Sequence, residues 1–354
     1  MENGGLAGIL ARQTRKGTLY EKLADRELRC YCCGHYCVMA DDRQGICKVR
    51  FNQGGELFVP WGYVAGLQDD PIEKKPFYHA LPGARALSFG MLGCDFHCSF
   101  CQNWISSQAL RDFQASSSIT KISPREIIRY GIEQKCQVIT STYNEPLITS
   151  EWAVEIFKLA KAEGFITAYV SNGNASQEVL DYLRPWLDLF KIDLKCFDDK
   201  HYRELGGKLE TICQTIRQVS RMGFWMEVVT LLIPGYNDSK DELSKLADFL
   251  VSVSPDIPWH VTAFHRDYKM IGPRNTSPQD LLHAYEIGKK AGLNYIYAGN
   301  LPGRVREGEN TYCHHCGECL IERFGFQILK DELSPRKGQC LRCQTFVPGF
   351  WFKK

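Results

Sequence analysis

Cysteine is the residue type in this chain with the clearest capacity for chemistry. The sequence contains 16 cysteines among 354 residues, and most of them lie in three clusters. In a reducing compartment, clustered thiols are more often metal ligands than halves of disulfide bonds. The isolated Cys136, Cys196 and Cys213 are expected to be small buried apolar residues or inert thiols. The three clusters are therefore the candidate metal sites.

The central cluster is formed by Cys94, Cys98 and Cys101, which are separated by three residues and then by two. Three thiolates this close in sequence can hold three irons of a [4Fe–4S] cluster and leave the fourth iron without a protein ligand. An open iron can bind another molecule, whereas clusters that only transfer electrons normally have four cysteine ligands. His97 lies inside the loop, and a zinc site completed by its imidazole is the less favoured alternative. The trio predicts a chemically active iron–sulfur centre.

The second cluster lies near the C-terminus and consists of two C-x2-C pairs, Cys313 with Cys316 and Cys340 with Cys343. Two such pairs on facing turns form a tetrahedral thiolate cage, which is typical of a zinc ribbon. A rubredoxin-like iron site would use the same four sulfurs. The nearby Cys319 is interpreted as a bystander, although it could exchange with one of the four ligands. A module of about 40 residues needs its metal in order to fold, so the predicted role is structural.

The third cluster lies near the N-terminus and contains Cys30, Cys33, Cys37 and Cys47 within 18 residues. Four thiolates at this spacing could bind zinc or a second iron–sulfur cluster. Zinc is favoured because the segment precedes the predicted strands and its glycine turns suit a small knuckle.

Between the outer cysteine clusters, the sequence alternates between two patterns that predict the elements holding these loops. Runs of β-branched and aromatic residues predict strands over 86–92, 137–143, 166–172, 189–195, 225–233, 259–264 and 295–300. Apolar residues at helical spacing predict helices over 151–163, 177–187, 209–222, 241–253 and 281–291, and Ser123, Ser239 and Ser277 are predicted N-caps. Because a helix follows most strands, we expect a right-handed parallel sheet in an open or closed barrel. Chemistry on such a fold takes place at the carboxyl ends of the strands.

Composition and charge exclude several classes of protein. Apolar residues at 44% and charged residues at 24% are typical of a globular chain. The 43 basic and 41 acidic residues nearly balance, so no overall field favours binding to nucleic acid or to a membrane surface. The longest largely apolar run, 228–233, is far shorter than the ~20 residues of a membrane span. With no apolar run of signal-peptide type in the first 29 residues, we expect a cytoplasmic protein.

The residues around the central cysteines resemble the radical S-adenosylmethionine (SAM) superfamily. The likeness includes the loop 93–101, the segment 142–146 after the second predicted strand, and the ends of the third and fourth strands at 171–173 and 193–195. In the family, an aromatic residue before the last cysteine packs on the adenine, and the strand ends contact the methionyl group and the ribose. The resemblance implies that SAM is bound by Phe100, Asn103, Thr142, Tyr143, Asn144, Glu145, Ser171, Asn172, Asp193, Lys195 and His265.

A narrower resemblance covers about residues 28 to 351. The segments 71–79, 82–83 and 101–104 are similar to those of the AmmeMemoRadiSam-system radical SAM enzymes, which are relatives of pyruvate formate-lyase activating enzyme. Gln102 replaces a histidine that is common in the activases, and Tyr143 and Asn144 replace the two glycines of their Gly-Gly-Glu-Pro motif. The activases also lack the outer cysteine modules. These departures leave the cofactor chemistry intact but put a glycyl-radical target in doubt.

The resemblance also implies an organisation for the chain. We expect an α/β protein with a radical SAM partial (β/α)6-type parallel barrel, a small cysteine-rich N-terminal module and a C-terminal zinc ribbon. The predicted boundaries are 1–60 for the N-terminal module, 61–85 for a connector, 86–302 for the core and 303–354 for the C-terminal module. Stretches rich in glycine and proline mark the two ends of the core.

The implied function is that of an enzyme. A [4Fe–4S] cluster would cleave SAM reductively to methionine and a 5′-deoxyadenosyl radical, which would abstract hydrogen from a protein or small-molecule substrate. An electron donor of the flavodoxin or ferredoxin type would then be a partner. One alternative, a nucleic-acid-binding zinc-ribbon protein with a vestigial barrel, is disfavoured by the intact trio and the lack of an arginine- and aromatic-rich face. The other alternative, an iron–sulfur electron carrier, is disfavoured by the open iron.

Overall fold

The computed structural model of this chain describes residues 6–115, 117–305 and 308–351. The helices are α1 (Leu6–Ala11), α2 (Trp104–Ser107), α3 (Pro124–Glu133), α4 (Ser150–Ala162), α5 (Gln177–Leu183), α6 (Asp199–Leu205), α7 (Leu209–Arg221), α8 (Lys240–Val253) and α9 (Pro278–Ala291). The strands of the N-terminal third are β1 (Thr14–Lys16), β2 (Tyr20–Lys22), β3 (Leu28–Cys30), β4 (Val38–Met39), β5 (Phe51–Gln53), β6 (Glu56–Pro60), β7 (Tyr63–Val64) and β8 (Gly66–Pro71). The remaining strands are β9 (Arg85–Gly90), β10 (Thr120–Lys121), β11 (Val138–Ser141), β12 (Ile166–Ser171), β13 (Leu189–Asp193), β14 (Trp225–Leu232), β15 (Trp259–Ala263), β16 (Ile296–Gly299), β17 (Thr311–Tyr312), β18 (Cys319–Phe324) and β19 (Gln327–Asp331).

The centre of the molecule is an eight-stranded sheet with the order β16-β15-β14-β13-β12-β11-β9-β8. The strands from β9 to β16 in this sheet pair in parallel with their neighbours. Each of the seven strands predicted from the sequence is present, so the parallel architecture is confirmed. Among the described strands the sheet is open, with β8 and β16 at its two edges.

The helices that connect the parallel strands begin where the sequence predicts. Ser123 accepts a hydrogen bond from the backbone of Glu126 and starts α3 with a full capping box. Ser277 starts α9 with a full capping box as well, and the Ser239 side chain caps α8 by accepting a hydrogen bond from the backbone of Glu242. α9 ends at Gly292, whose φ of 102° lies in the left-handed region that glycine adopts without strain. These local signals set the positions of the loops at the carboxyl ends of the strands.

The predicted connector 61–85 contributes to the sheet itself. Its residues Gly66–Pro71 form β8, which pairs antiparallel with β9 from Gly66↔Gly90 to Pro71↔Arg85. Beyond β8, Ile72 and Phe77 are fully buried with residues at the starts of the parallel strands. The segment therefore forms one edge of the sheet and closes the end of it that lies opposite the cysteine loop. The segment is rich in glycine, proline and charged residues, so its composition does not predict a strand. A strand can nevertheless form there because an edge strand tolerates polar residues.

The N-terminal module packs directly on the core. Its two small sheets have the orders β1-β6-β5 and β2-β3-β4. Arg50, with no exposed surface, donates from both terminal nitrogens to the carboxylate of Glu151 in α4, at 2.6 and 2.7 Å. A Cβ added at Gly93, the residue before the central cysteines, would lie 3.0 Å from the carbonyl of Cys47. The module thus covers the loop that carries the cysteine trio.

The C-terminal module forms the antiparallel sheet β17-β18-β19 and packs at the other end of the barrel. Arg323 of β18 is buried over the ring of Tyr78, 4.4 Å from its centroid, and donates to its carbonyl. His79 lies 2.6 Å from the hydroxyl of Tyr297 in β16. Among the described residues, no helix has the length and apolar character needed to cross a bilayer.

Candidate active site at the carboxyl ends of the strands

The cysteine trio lies on the loop that follows β9, at the carboxyl edge of the sheet. The Sγ of Cys94 accepts a hydrogen bond from the backbone of Phe96 at 3.3 Å, and the Sγ of Cys101 lies 3.2 Å from the hydroxyl of Ser107. Arg111 donates to the carbonyls of Cys94 and Phe96 at 2.7 and 3.0 Å. These bonds hold the loop in one conformation, as a site for three metal–thiolate bonds requires.

Cys98 is buried, Cys94 and Cys101 are half-buried, and the charge of a cation acts on two of the three thiols. Burial raises the pKa of the Cys98 thiol to about 12, while the positive charge of Lys195 opposes the shift. The same charge opposes the rise caused by burial at Cys101. Because iron binds the thiolate, metal binding must displace the proton from each sulfur. The donor set therefore fits a [4Fe–4S] cluster with one open iron.

Three charged residues share one face of β13 and its extension. The ammonium of Lys195 lies 3.2 Å from a carboxylate oxygen of Asp193, and Lys191 pairs with the other oxygen. Burial alone would raise the pKa of Asp193, but the two ammonium groups lower it to about 2. Burial would lower the pKa of Lys195, but Asp193 and the Cys98 sulfur raise it well above its usual range. Burial lowers the pKa of Lys191, and the charge of Asp193 opposes that shift. Asp193 and Lys195 are therefore ionised at neutral pH, and the three side chains are only partly exposed.

Lys191 is a member of this group that the sequence interpretation missed. It lies in the middle of a predicted strand, where a lysine is normally a solvent-facing residue. Its spacing from Asp193 and Lys195 is the strand period of two, which places all three on one side of the strand. The spacing of two residues from Lys191 to Asp193 and from Asp193 to Lys195 is the feature of the sequence that could have identified Lys191 as a member of the group.

Glu145 faces the interior and organises the ends of the strands. Its carboxylate accepts hydrogen bonds from the Ser171 hydroxyl and the Asn172 backbone, both at 2.7 Å, and from the Leu147 backbone at 3.1 Å. Burial, with the charge of Asp95 nearby, raises its pKa to about 8. The Glu145 side chain joins the end of β11 to the end of β12. Only the backbone of Glu145 therefore lines the carboxyl edge of the sheet.

The resemblance to the activases assigns Tyr143 and Asn144 to the positions of two glycines in those enzymes. Tyr143 adopts a φ of 73°, in the left-handed region that favours glycine. Its ring lies over β8 and β9, and its hydroxyl is 3.2 Å from Lys75. A Cβ added at Gly90 would lie 2.5 Å from the Thr142 carbonyl, so the backbone passes close above β9. Tyr143 thus adopts a backbone conformation that favours glycine and directs its ring to the edge of the sheet.

Asp95 is a second residue of the site that the sequence interpretation did not identify, and it has no exposed surface. Its oxygens accept hydrogen bonds from Asn172 and Asn174, each at 2.8 Å, and one lies 3.8 Å from Nε2 of His35 in the N-terminal module. A buried carboxylate is costly without such partners. Asp95 therefore joins the cysteine loop, the end of β12 and the N-terminal module.

The remaining predicted SAM residues lie at the mouth of the site. The amide nitrogen of Gln102 lies 3.4 Å from Nδ1 of His265, and both side chains are exposed, as is Asn103. Phe100 is only 4% exposed, and its ring packs edge-on against Tyr236 with the centroids 5.9 Å apart. The structure thus separates an exposed polar side of the mouth from a buried aromatic side.

The C-terminal cysteines form a compact group. The sulfurs of Cys313, Cys316, Cys340 and Cys343 all lie within 4.8 Å of one another, with Cys313–Cys343 at 3.6 Å and Cys316–Cys340 at 3.7 Å. Zinc–sulfur bonds of about 2.3 Å in a tetrahedron require sulfurs about 3.8 Å apart, so the spacing fits one metal ion. Hydrogen bonding with Thr345 lowers the pKa of Cys343 to about 5, which favours the thiolate.

The N-terminal cysteines are close in the fold but are not a compact group. The backbone of Cys30 donates to the carbonyl of Cys37 at 3.0 Å. The Sγ of Cys30 makes a hydrogen bond of 3.5 Å with the Sγ of Cys32. The hydrogen bond with Cys32 lowers the pKa of Cys30 to about 6, against the effect of burial. No three sulfurs of this module, among the described residues, lie within 4.8 Å of one another. The metal of this module stays a prediction.

Comparison with known proteins supports one family. Residues 90–250 match the family model described as the radical SAM superfamily. An uncharacterized protein of Methanocaldococcus jannaschii is 34% identical over 331 residues, which cover 93% of this chain and 97% of that protein. The pyruvate formate-lyase-activating enzyme of Staphylococcus aureus is 27% identical over 237 residues, 62% of this chain and 92% of that enzyme.

Among solved structures, a domain of pyruvate-formate lyase-activating enzyme from Bacteroides vulgatus is similar at 25% identity and a TM-score of 0.41. It covers 46% of this chain and 98% of that domain. The family model begins at the last residue of β9, directly before the cysteine loop, and ends within α8. The chain belongs to the radical SAM superfamily, a family of catalysts that carry a [4Fe–4S] cluster and bind SAM.

Proposed function

We propose that this chain is a radical SAM enzyme related to the glycyl-radical activases, in which the 5′-deoxyadenosyl radical from SAM abstracts hydrogen from a protein or small-molecule substrate. The observation that carries the proposal is the paired group of Lys191, Asp193 and Lys195, which lies at the same carboxyl edge of the sheet as the trio and whose Lys195 charge acts on the Cys98 and Cys101 thiols. Cys94, Cys98 and Cys101 would hold the cluster. An electron donor of the flavodoxin or ferredoxin type would reduce it, and the expected location is the cytoplasm.

The charges beside the trio suit the carboxylate of SAM. Lys191 and Lys195 carry two positive charges and Asp193 carries one negative charge, so the group has one net positive charge. This balances the single carboxylate of the methionyl end. A carboxylate near Lys195 would gain a charge-assisted hydrogen bond, which is stronger than a neutral one. Asp193 and Asn172 suit the ribose or the amino group as acceptors.

The other predicted contacts divide along the rim. The backbone at 142–145, with Thr142, Tyr143, Asn144 and Glu145, would receive the amino group, and Glu145 and Ser171 would keep that edge in position through their mutual hydrogen bond. Phe100, backed by Tyr236, would supply the apolar surface for the adenine. Asn103 and His265 would contact the cofactor from the exposed side of the mouth.

We further propose structural roles for the outer modules. The group of Cys313, Cys316, Cys340 and Cys343 would bind zinc, because its sulfur spacing suits a single tetrahedral ion. The N-terminal group, Cys30, Cys33, Cys37 and Cys47, would bind zinc or a second cluster. The boundaries 1–60, 61–85, 86–302 and 303–354 remain our proposed organisation, with β8 joined to the core sheet.

Neither alternative function is favoured. An electron carrier would need a fourth ligand beside the trio, and no further cysteine lies in that loop. A vestigial barrel gives no reason for a partly buried group of paired charges on β13 beside the trio. A nucleic-acid surface would require a basic face, and the chain is nearly neutral.

The experiment is anaerobic reconstitution of the full chain with iron and sulfide, followed by reduction in the presence of SAM. We expect 5′-deoxyadenosine from the wild type and none from Cys98→Ala, because the loop has no spare thiol. Cys136→Ala is the matched control, since Cys136 is a buried thiol outside the site and should leave the product unchanged. Equal product from Cys98→Ala and the wild type, or none from a fully loaded wild type, would refute the proposal.

A further inference from the structure

A further group of potential metal ligands, outside the three cysteine clusters, lies behind the cysteine loop. It consists of Cys196, just after the extension of β13, His201 in α6, and Glu242 in the first turn of α8. One ligand atom from each lies within 4.8 Å of the other two. Cys196 and His201 are five positions apart, whereas Glu242 is 41 positions beyond His201, so the packing of α8 against α6 and the end of β13 brings the third ligand to the other two.

The hydrogen bonds of these three side chains do not satisfy all of their potential ligand atoms. Cys196 is 1% exposed and makes only a weak contact with the Asp198 carbonyl, at 3.7 Å. One oxygen of Glu242 accepts a hydrogen bond from the backbone of Phe197 at 2.7 Å. The Nδ1 atom of His201 is buried and has no hydrogen-bond partner among the described residues. A buried nitrogen without a partner is costly, which points to a ligand that the three side chains share.

The imidazole ring is held in place by an aromatic neighbour. His201 stacks on Tyr236 with the ring centroids 4.2 Å apart and the planes 21° from parallel. Its backbone is also fixed, because its N–H donates to the capping carboxylate of Asp198 at 2.9 Å. A ring fixed in this way is preorganised to bind an ion in its plane.

We propose that Cys196, His201 and Glu242 bind one zinc-class divalent ion. A thiolate, an imidazole nitrogen and a carboxylate are ligands that Zn²⁺ accepts, with bonds of about 2.0–2.3 Å that place ligand atoms roughly 3.3–3.8 Å apart. Small side-chain adjustments from the present spacing would suffice. The ion would displace the thiol proton to solvent, and the thiolate and the carboxylate would neutralise its two charges. Water would take the fourth position.

The proposed ion would brace the active-site rim. Cys196 directly follows Lys195, and Tyr236 contacts both His201 and Phe100. An ion joining Cys196 to α6 and α8 would fix the loop that leaves β13. The assignment of the ion does not depend on the proposed function, because it rests on the three side chains alone.

The test counts zinc in the full chain. Wild type, Cys196→Ser, His201→Gln and Glu242→Gln are each loaded anaerobically with excess Zn²⁺, freed of unbound metal, and measured by mass spectrometry of the metal content. We expect each variant to hold one zinc per chain fewer than the wild type. Cys213→Ser is the matched control, because Cys213 is a buried thiol that belongs to neither compact ligand group and should leave the count unchanged.

Folding is monitored by circular dichroism, and His201→Gln and Glu242→Gln conserve size in case the buried cysteine cannot be replaced. Zinc counts equal to the wild type in the folded variants would overturn the proposal. The measurement uses neither SAM nor a reductant. A failure here is therefore distinguishable from a failure of the proposed enzyme activity.

Discussion

Replacing Lys195 by methionine tests the proposed SAM site most directly. The substitution keeps the apolar stem and removes only the ammonium group. Asp193 would still be paired with Lys191, so the carboxylate is not left buried without a partner. The fold and the three thiols should therefore survive, and iron and sulfide content should match the wild type.

The expected magnitude follows from the charge of the group. Without Lys195, the remaining Lys191–Asp193 pair is neutral and the net positive charge is lost. A charged hydrogen bond contributes roughly 1.5–3 kcal/mol, and its loss would weaken SAM binding about ten- to a hundredfold. Because the pKa of Lys195 is raised, Lys195 should stay protonated between pH 6 and 9. The affinity of the wild type for SAM should therefore not fall in this range through deprotonation of Lys195.

The assay is a titration of SAM into each reconstituted, reduced protein, followed by the EPR signal of the cluster. Lys200→Met is the matched control, since Lys200 is an exposed lysine on α6 and should bind SAM as the wild type does. Asp193→Ala and His265→Ala are also expected to weaken SAM binding while iron content is retained. Wild-type affinity in Lys195→Met, with an intact cluster, would refute the assignment of this residue to the carboxylate.

The remaining predictions concern the outer modules and the base of the barrel. Cys340→Ser should remove one zinc per chain and unfold the C-terminal sheet, whereas Cys98→Ala should keep that zinc; iron in place of zinc in every preparation would indicate a rubredoxin-like site instead. Glu151→Ala should lower the free energy of unfolding by about 3–5 kcal/mol, because it leaves the Arg50 guanidinium buried without its partner, and a loss below about 1 kcal/mol in denaturant melts would contradict the buried pair. Burial lowers the pKa of His79 to about 4, below its unfolded value, so the folded state binds fewer protons and stability falls as pH drops through 6.5. Between pH 7 and pH 5 this loss is about 2 kcal/mol, and it should be absent from His79→Gln; an equal pH slope in both proteins would show that other groups cause it.

The features that depend on near neighbours in the chain could be predicted from the sequence. The trio needs only the spacing within one loop, and helix starts need only a capping residue and its third neighbour, as at Ser123. Parallel strands bury both faces and therefore show as continuous apolar runs, which is why each predicted strand of the core is present. The C-terminal pairs of cysteines could also be predicted, because each C-x2-C turn presents two sulfurs without help from another segment.

The features that depend on packing between distant segments were decided only by the tertiary structure. β8 escaped prediction because an edge strand need not be apolar, and Asp95 escaped because its partners come from two other parts of the chain. Cys196 was expected to be a small buried apolar residue or an inert thiol, because it stands outside the three cysteine clusters. The sequence by itself thus determined the chemistry that one loop can carry out. Only the fold decided which charges face that loop and which side chains meet behind it, because those contacts arise when elements far apart in the chain bury their apolar faces against one another.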